Sequence, residues 1–566
     1  MSKQFHARTL LKESLSNSSS RSVSRARTPL PDGEENGTLD VNFSSLEELL
    51  SKKLESLQSM MLSNETEDLE NRDSMVADSQ DFRQKKVLSL NKTRIQSDTT
   101  TINDIVSSLQ HPRSSVSTQS REMLLAQLYK IIVSKSVFSF NEEVATPATY
   151  VTEEVVSSLV KLLSSKQYRS STEFIFLYRS VIALLASDLE DFGDIVSPDF
   201  LGSLEALISA PAFQYVTIEN KASVITGYCG LLLVLYGETS AFGVDDKVKW
   251  LLEVAQGFVQ SAINLKVSLD TGDREYSTLM YELEDKRLVD EQENRYLGEA
   301  SVAVAALHGV GVLITLLQRG EYLNELLNSV ATELASIIDN EQIVDISRAA
   351  AKVLALCYES YTYEEVSEDE EYADTEYNYN APYYEQESII STCTRLANLS
   401  SKKVGKKEKK DVNSIFQQVV KTIEYYTNDE KREEMYKLSP TGLDLLASSV
   451  SWTHIKLSRS KSLAINSWFL YFRLLHLKWV FGFGLHTQLV ENPGIKSLLR
   501  APATKYQQKY GNADDDGDAV DNGRFGRDAQ TDVERFARVD KKRANNLKKA
   551  RERKITQDLE ELSLEN

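Results

Sequence analysis

Ile102-Asn-Asp-Ile105-Val106-Ser-Ser-Leu109 and, after a polar break, Leu124-Leu125-Ala-Gln-Leu128-Tyr-Lys-Ile131-Ile132 decide the fold class. In both stretches apolar residues recur at intervals of three and four, the spacing that lines one face of an α-helix. The pattern returns over Glu153 to Leu163, Phe174 to Ala186, Phe200 to Ile208, Ala222 to Tyr236, Val248 to Leu265, Gly298 to Gln318, Glu321 to Ile338 and Ile343 to Ser360. The breaks carry turn chemistry, as in Asp191-Phe-Gly-Asp194, Ala210-Pro-Ala212 and Arg319-Gly-Glu321. Very few segments alternate as strands do. The chain is predicted to be all-α, with residues 101–400 forming an α-solenoid of armadillo or HEAT type. No residue-level repeat is legible, and the alternative is a compact helical bundle.

Outward from this array the composition changes. Residues 1–100 are polar and poor in aromatics, which predicts a largely disordered leader. Its exception is Phe43 to Leu62, where Leu46, Leu49, Leu50, Leu54 and Leu57 keep helical spacing; this reads as a loosely packed helix or a partner-docking one. Two acidic stretches interrupt the array. Ser268 to Leu297 reads as a helix with a solvated face or a loop between units. Residues 358–384 interleave tyrosines (Tyr358, Tyr361, Tyr363, Tyr372, Tyr377, Tyr379, Tyr383, Tyr384) with acids, and like charges so dense predict an extended, solvated insertion. Such an insertion either has no partner, docks a basic one, or folds back over the lysines that follow.

The chain of 566 residues carries a net charge of −19, so as a whole it is no nucleic-acid coat. Its basic residues are nevertheless clustered. Cys229, Cys357 and Cys393 are too scattered for a disulfide framework or zinc site and point to a reducing compartment, cytoplasmic or nuclear. Val224 to Tyr236 is too short to span a bilayer, and Ala300 to Leu317 carries His308, Gly309 and Gly311. The latter is expected to be a helix buried on most sides of the stack, with no membrane partner.

Residues 402–503 form the next region. A lysine run, Lys402, Lys403, Lys406, Lys407, Lys409 and Lys410, precedes an amphipathic segment with Ser414, Phe416, Val419, Ile423 and Glu424. Such a run either caps a helix or contacts phosphates, and it also fits an import signal. Later come Ser467-Trp468, an aromatic stripe (Phe469, Phe472, Leu475, Trp479, Val480), then Gly482-Phe-Gly484-Leu485 and Leu489-Val-Glu491-Asn492. The two glycines fall where that helix should end and are expected to supply a left-handed conformation.

These two sets of residues resemble the interferon-related developmental regulators. In that family a basic run precedes Ser-x-Phe-x-x-Val and an apolar-Glu pair; a Ser-Trp pair, Gly-x-Gly and Leu-x-Glu-Asn follow. The chain departs from the pattern at Phe483, where the family has a small residue, and by an insertion around Asn428 to Ser462. The resemblance implies a regulator of gene expression without catalytic activity, acting by binding translationally inactive ribosomes or by recruiting chromatin-modifying partners to transcription factors.

Residues 504–566 form a charged tail. Asp514-Asp-Asp-Gly-Asp518 has the start of a calcium loop but lacks its closing glutamate, so no metal is expected. Between 535 and 554 stand Arg535, Arg538, Lys541, Lys542, Arg543, Lys548, Lys549, Arg551, Arg553 and Lys554 against Asp540 and Glu552, a net of +8 without proline or glycine. As a helix this would be about 30 Å long and basic on nearly every face. It suits a phosphate-lined groove, and structured RNA is the natural host. The histidines are scattered, and no nucleophile elbow, P-loop or paired-carboxylate site is present, so neither an enzyme nor a small-molecule substrate or cofactor is expected. His476 reads as a core residue.

The expected function is ribosome binding and translation regulation. The array would supply protein–protein interaction, and Arg535 through Lys554, then Lys402 through Lys410, would contact rRNA. The alternative is a nuclear transcription co-regulator using the solenoid's concave face. An importin-like adaptor is weaker.

Overall fold

The computed structural model describes residues 46–57, 101–111 and 117–500, apart from 144, 147, 166–167, 213–215, 238–240, 272–281, 340–342, 364–379, 399–405, 429, 433–452, 458–461 and 466. The helices are α1 (46–57), α2 (Ile102–Gln110), α3 (Thr118–Ser134), α4 (Glu153–Ser164), α5 (Ser171–Ser187), α6 (Pro198–Ser209), α7 (Ile218–Tyr236), α8 (Val244–Thr271), α9 (Glu282–Ile314), α10 (Glu321–Asp339), α11 (Val344–Ser360), α12 (Gln386–Asn398) and α13 (Lys406–Thr427). A hairpin, β1 (Thr453–Lys456) and β2 (Ser462–Ile465), precedes α14 (Trp468–Phe481), α15 (Leu485–Glu491) and α16 (Pro493–Ser497).

The polar breaks of the sequence are helix caps. The hydroxyl of Ser117 accepts from the backbone N–H of Ser120, that of Ser170 from Glu173, that of Ser197 from Phe200 and that of Thr217 from Asn220. Thr101 and Asp104 form a reciprocal capping box on α2. Each cap satisfies an N–H that a helix start leaves unpaired, a contribution of about 1 kcal/mol.

The helices stack in two rows, the solenoid expected from the periodicity. α3, α5, α7, α9, α11 and α13 each pack on the next of their own row, and α2, α4, α6, α8, α10 and α12 cover them. The rows differ in the way the sequence requires. In α2 only Ile102, Ile105, Val106 and Leu109 are buried, and in α4 only Val156, Leu159 and Leu163. In the inner row Glu173–Ser187, Lys221–Leu233 and Ile346–Ser360 are buried without interruption. An amphipathic stripe makes an outer helix, and an apolar sequence all round makes one covered on every side. α7 and the second half of α9 are apolar and long enough to cross a membrane, but they lie mostly buried inside the stack.

What covers the inner row's free face is α14, which packs across α5, α7, α9 and α11. The chain fills this face with its own aromatic helix. The described residues of α1 to α16 fall in one compact unit, so α13 to α16 belong to the same body as the array. The hairpin falls in a second unit; its strands are antiparallel, with Ile455 opposite Leu463 and Thr453 opposite Ile465. Few segments alternate as strands do, and among the described residues this two-stranded hairpin stands beside helices.

Parts of both acidic interruptions lie among the described residues. α8 runs on to Thr271 and α9 begins at Glu282, and these helices, about 42 and 50 Å long, pack against each other. Tyr358 is fully buried in α11 rather than solvated, and Tyr363 stacks on Tyr426 of α13 at 6.2 Å between ring centres. Residues 364–379, the acidic centre of the expected insertion, lie outside the described residues.

Candidate functional site

The described part of the candidate site is the cradle of α14 and the segments packed against it. α14 carries no acid in its first turn. Ser467 caps it, its hydroxyl accepting from the N–H of Leu470 at 3.1 Å, and the acid is supplied across space by α11. The Glu359 carboxylate accepts from the N–H of Trp468 at 2.7 Å and of Phe469 at 3.1 Å. A carboxylate at a helix N-terminus meets both unpaired donors and the positive end of the dipole. Burial nevertheless dominates and raises the Glu359 carboxyl to about 7, against the pull of those two N–H groups and of Arg319.

That shift has a testable sign. A carboxyl whose folded value lies above the unfolded one favours folding most when protonated, and its contribution is lost as pH rises through about 7. His476, pushed down to about 4 by burial, works the opposite way below pH 6.5, so the effect is isolated by subtraction. The stability of the parent minus that of Glu359→Gln is expected to fall by about 2 kcal/mol between pH 5.5 and 8 in denaturant titrations. A constant difference would remove Glu359 from this role.

The C-terminal end of α14 is held by long-range donors. Arg179 Nε donates to the carbonyl of Trp479 at 2.8 Å, and the Tyr129 hydroxyl to that of Val480 at 3.0 Å. The Arg179 guanidinium lies 4.4 Å from the Tyr129 ring centre and 2.5 Å from Glu47 of α1. Arg473, inside α14, donates to the Thr315 carbonyl at 2.7 Å, the Thr315 hydroxyl at 3.0 Å and the Leu498 carbonyl at 3.0 Å. Burial lowers its guanidinium to about 10. Two further buried cations follow one rule: Arg121 ends on Leu109 O, and Lys221 on Ile208 O and Ala210 O. Each of the four ends on carbonyls at or just past the end of a helix, where acceptors lack intrahelical partners and the dipole is negative.

The resemblance residues fall into this cradle. Phe416, Val419 and Ile423 are buried on the array side of α13, and the Trp468 indole donates to Thr422 at 3.0 Å, joining the two motif parts. Leu489 is buried and Glu491 exposed. Asn492 caps α16 through Ile495 N–H and donates to Ser187 O at 2.8 Å. Gly482 has positive φ (49°) but ψ of −128°, outside the left-handed helical region expected. Gly484 is not left-handed at all, with φ −84° and ψ −7°. Its requirement is space, because a Cβ there would come within 1.9 Å of the Val133 carbonyl oxygen. Gly227 likewise leaves room for the Trp479 ring, and Gly311 for Phe472.

The expected RNA-contacting residues are less visible. Lys406, Lys407, Lys409 and Lys410 open α13, continuous with the amphipathic segment they precede. Lys402, Lys403 and all ten basic residues from Arg535 to Lys554 lie outside the described residues, as does the Asp514–Asp518 stretch. His476 is fully buried, its Nδ1 2.8 Å from Phe472 O, as expected of a core residue. The three cysteines are free and buried, and burial pushes the Cys393 thiol up to about 12. Among the described residues no three His, Cys, Asp or Glu side chains gather to hold a metal ion.

Sequence reasoning missed Glu359, Arg179, Thr315 and Lys352, whose ammonium donates to the Tyr471 hydroxyl at 2.8 Å. The usable signal was a lone charge inside an apolar run, as in Phe174-Ile-Phe-Leu-Tyr-Arg179-Ser-Val-Ile182. Such a charge is buried and must find a partner.

Residues 271–424 match the family described as Interferon-related developmental regulator (IFRD). The match agrees with the resemblance read from the sequence. It takes in the array from the end of α8 through α12 and the motif on α13; the second motif, Ser467 to Asn492, lies beyond it. No curated protein matches the chain.

Proposed function

We propose, from a chain whose residues 271–424 match the interferon-related developmental regulators, that it is a non-enzymatic regulator of gene expression acting on ribosomes. The observation that carries the reading is the reversal of charge along the chain: a net of +8 in residues 535–554 on a molecule of −19 overall. Such a run repels itself in water and gains by releasing counterions along RNA.

The cradle supports this reading. Leu498 and Leu499 are buried and Arg473 holds Leu498 O, so the chain that leads into the tail starts from a fixed point. The lysines opening α13 add a second cationic site. In this account the array docks by protein contacts and the tail enters an RNA-lined groove, in the cytoplasm, with no membrane, cofactor or small-molecule substrate. A nuclear scaffold for chromatin-modifying partners would have to use the outer row, since α14 fills the inner face.

The test is the salt dependence of binding to purified ribosomal particles. If half the tail's basic residues neutralise phosphates, affinity should fall about 100- to 500-fold between 50 and 200 mM salt. Affinity that is flat across that range would contradict phosphate contact.

A further inference from the structure

α1 is separated from the rest of the array by residues 58–100, yet it sits firmly on it. Leu46, Leu50 and Leu57 are buried, while Glu48, Ser51, Lys52 and Glu55 face solvent. Its seat spans α3, α5 and the turn after α14. At one end Glu47 meets the Arg179 guanidinium at 2.5 Å, over Gly482, where a Cβ would stand 2.7 Å from the Glu47 carboxylate. At the other end Lys53 pairs with Glu122, which also accepts from the Ser170 hydroxyl. Arg179 is 1% exposed and Glu122 10%, so the seat offers one buried cation and one nearly buried anion.

The two charges give the seat a direction. The acid that meets Arg179 lies in the first turn of the bound helix, where the helix dipole favours it, and the base that meets Glu122 comes six residues later. A helix bound in reverse would set like charges against each other. Leucines at the first, fifth and twelfth positions fill the apolar floor. The connecting residues 58–100 can span up to about 140 Å, so α1 can leave its seat without unwinding α2.

We propose that this seat is a helix-binding site and that residues 46–57 are its exchangeable occupant. The partner it fits is an amphipathic helix with the same leucine spacing, an acid in its first turn and a lysine or arginine six positions on. Because the resident helix is tethered, it competes at an effective concentration on the millimolar scale, and a partner must outbind it or meet a chain in which it is weakened. This is the helix-in-groove mode of recognition, with the specificity set by paired charges.

The probe is a fluorescein-labelled peptide of residues 43–62, titrated by anisotropy into the full chain and into the full chain carrying Leu50→Asp. The variant should bind the peptide at least tenfold more tightly than the parent. A peptide carrying Glu47→Lys should lose that binding, since it sets a cation against Arg179. Helical circular dichroism on heating is recorded in parallel. If Leu50→Asp keeps its cooperative melt but binds the peptide no better, the site is not a helix-binding one. If the substitution abolishes cooperative melting, α1 is an inseparable part of the core, and the proposal is equally overturned.

Discussion

Trp479→Ala is expected to destabilise the chain by about 3–5 kcal/mol, the range for removing a buried indole without refilling its space. Trp479 is 3% exposed and packs on Tyr178 at 5.8 Å between ring centres, with the Arg179 guanidinium 5.5 Å from its ring. The opposing surface is formed by Gly227, which has no side chain to move into the cavity. α14 is the element that covers the inner row, so the loss should appear as unfolding of the array and not as local fraying. Denaturant titration followed by helical circular dichroism checks this. A midpoint shift worth less than about 1 kcal/mol would mean that α14 docks on an array that stands without it.

Arg473→Met should cost about 2–4 kcal/mol, although it relieves a buried charge. The methionine fills much of the volume and removes the desolvation that holds the guanidinium near 10. It also strips donors from two buried carbonyls, Thr315 O and Leu498 O, and each unsatisfied acceptor costs about 1–3 kcal/mol. Lysine should recover little, because a single ammonium cannot reproduce the planar fork that reaches Thr315 and Leu498 together. The same titration measures both variants, and a neutral Arg473→Met would show that water replaces the lost donors.

Much of the fold was legible because burial writes itself into period. Ile102, Ile105, Val106 and Leu109 mark an outer helix, and the apolar stretch Ala300 to Leu317 marks one buried on most sides, which α9 is through Ile314. The docking of α14 was not legible. Its own sequence is apolar around most of its circumference, which says that it is covered but not by what. The polar contacts that settle the matter join residues as far apart as Tyr129 and Val480, or Arg179 and Trp479, and no local pattern links such pairs. The glycines show the same limit. Gly484 stands near a helix end, but its reason is the backbone of Val133 on another helix. The hairpin at Thr453 to Ile465 had a weak signal, Thr453 and Ile455 followed by Leu463 and Ile465, but no Asn-Gly or Asp-Gly turn announced it.

For the candidate site the sequence was the richer source. The motif on α13 and the Ser467–Asn492 motif were read from residue identity. The structure then explained them as the joint between α13 and α14, through Trp468 and Thr422, and as the pins on α16, through Asn492. They are parts of a frame. Of the residues proposed to contact RNA, Lys406, Lys407, Lys409 and Lys410 open α13, and the others lie outside the described residues.

The proposal that the basic tail carries the chain to ribosomes is decided by sedimentation on sucrose gradients, comparing the full chain with one ending at Gln530. The full chain should travel with ribosomal particles and the shortened chain should remain at the top. If the two sediment alike, with ribosomes or free of them at low salt, the tail is not the contact and the claim fails.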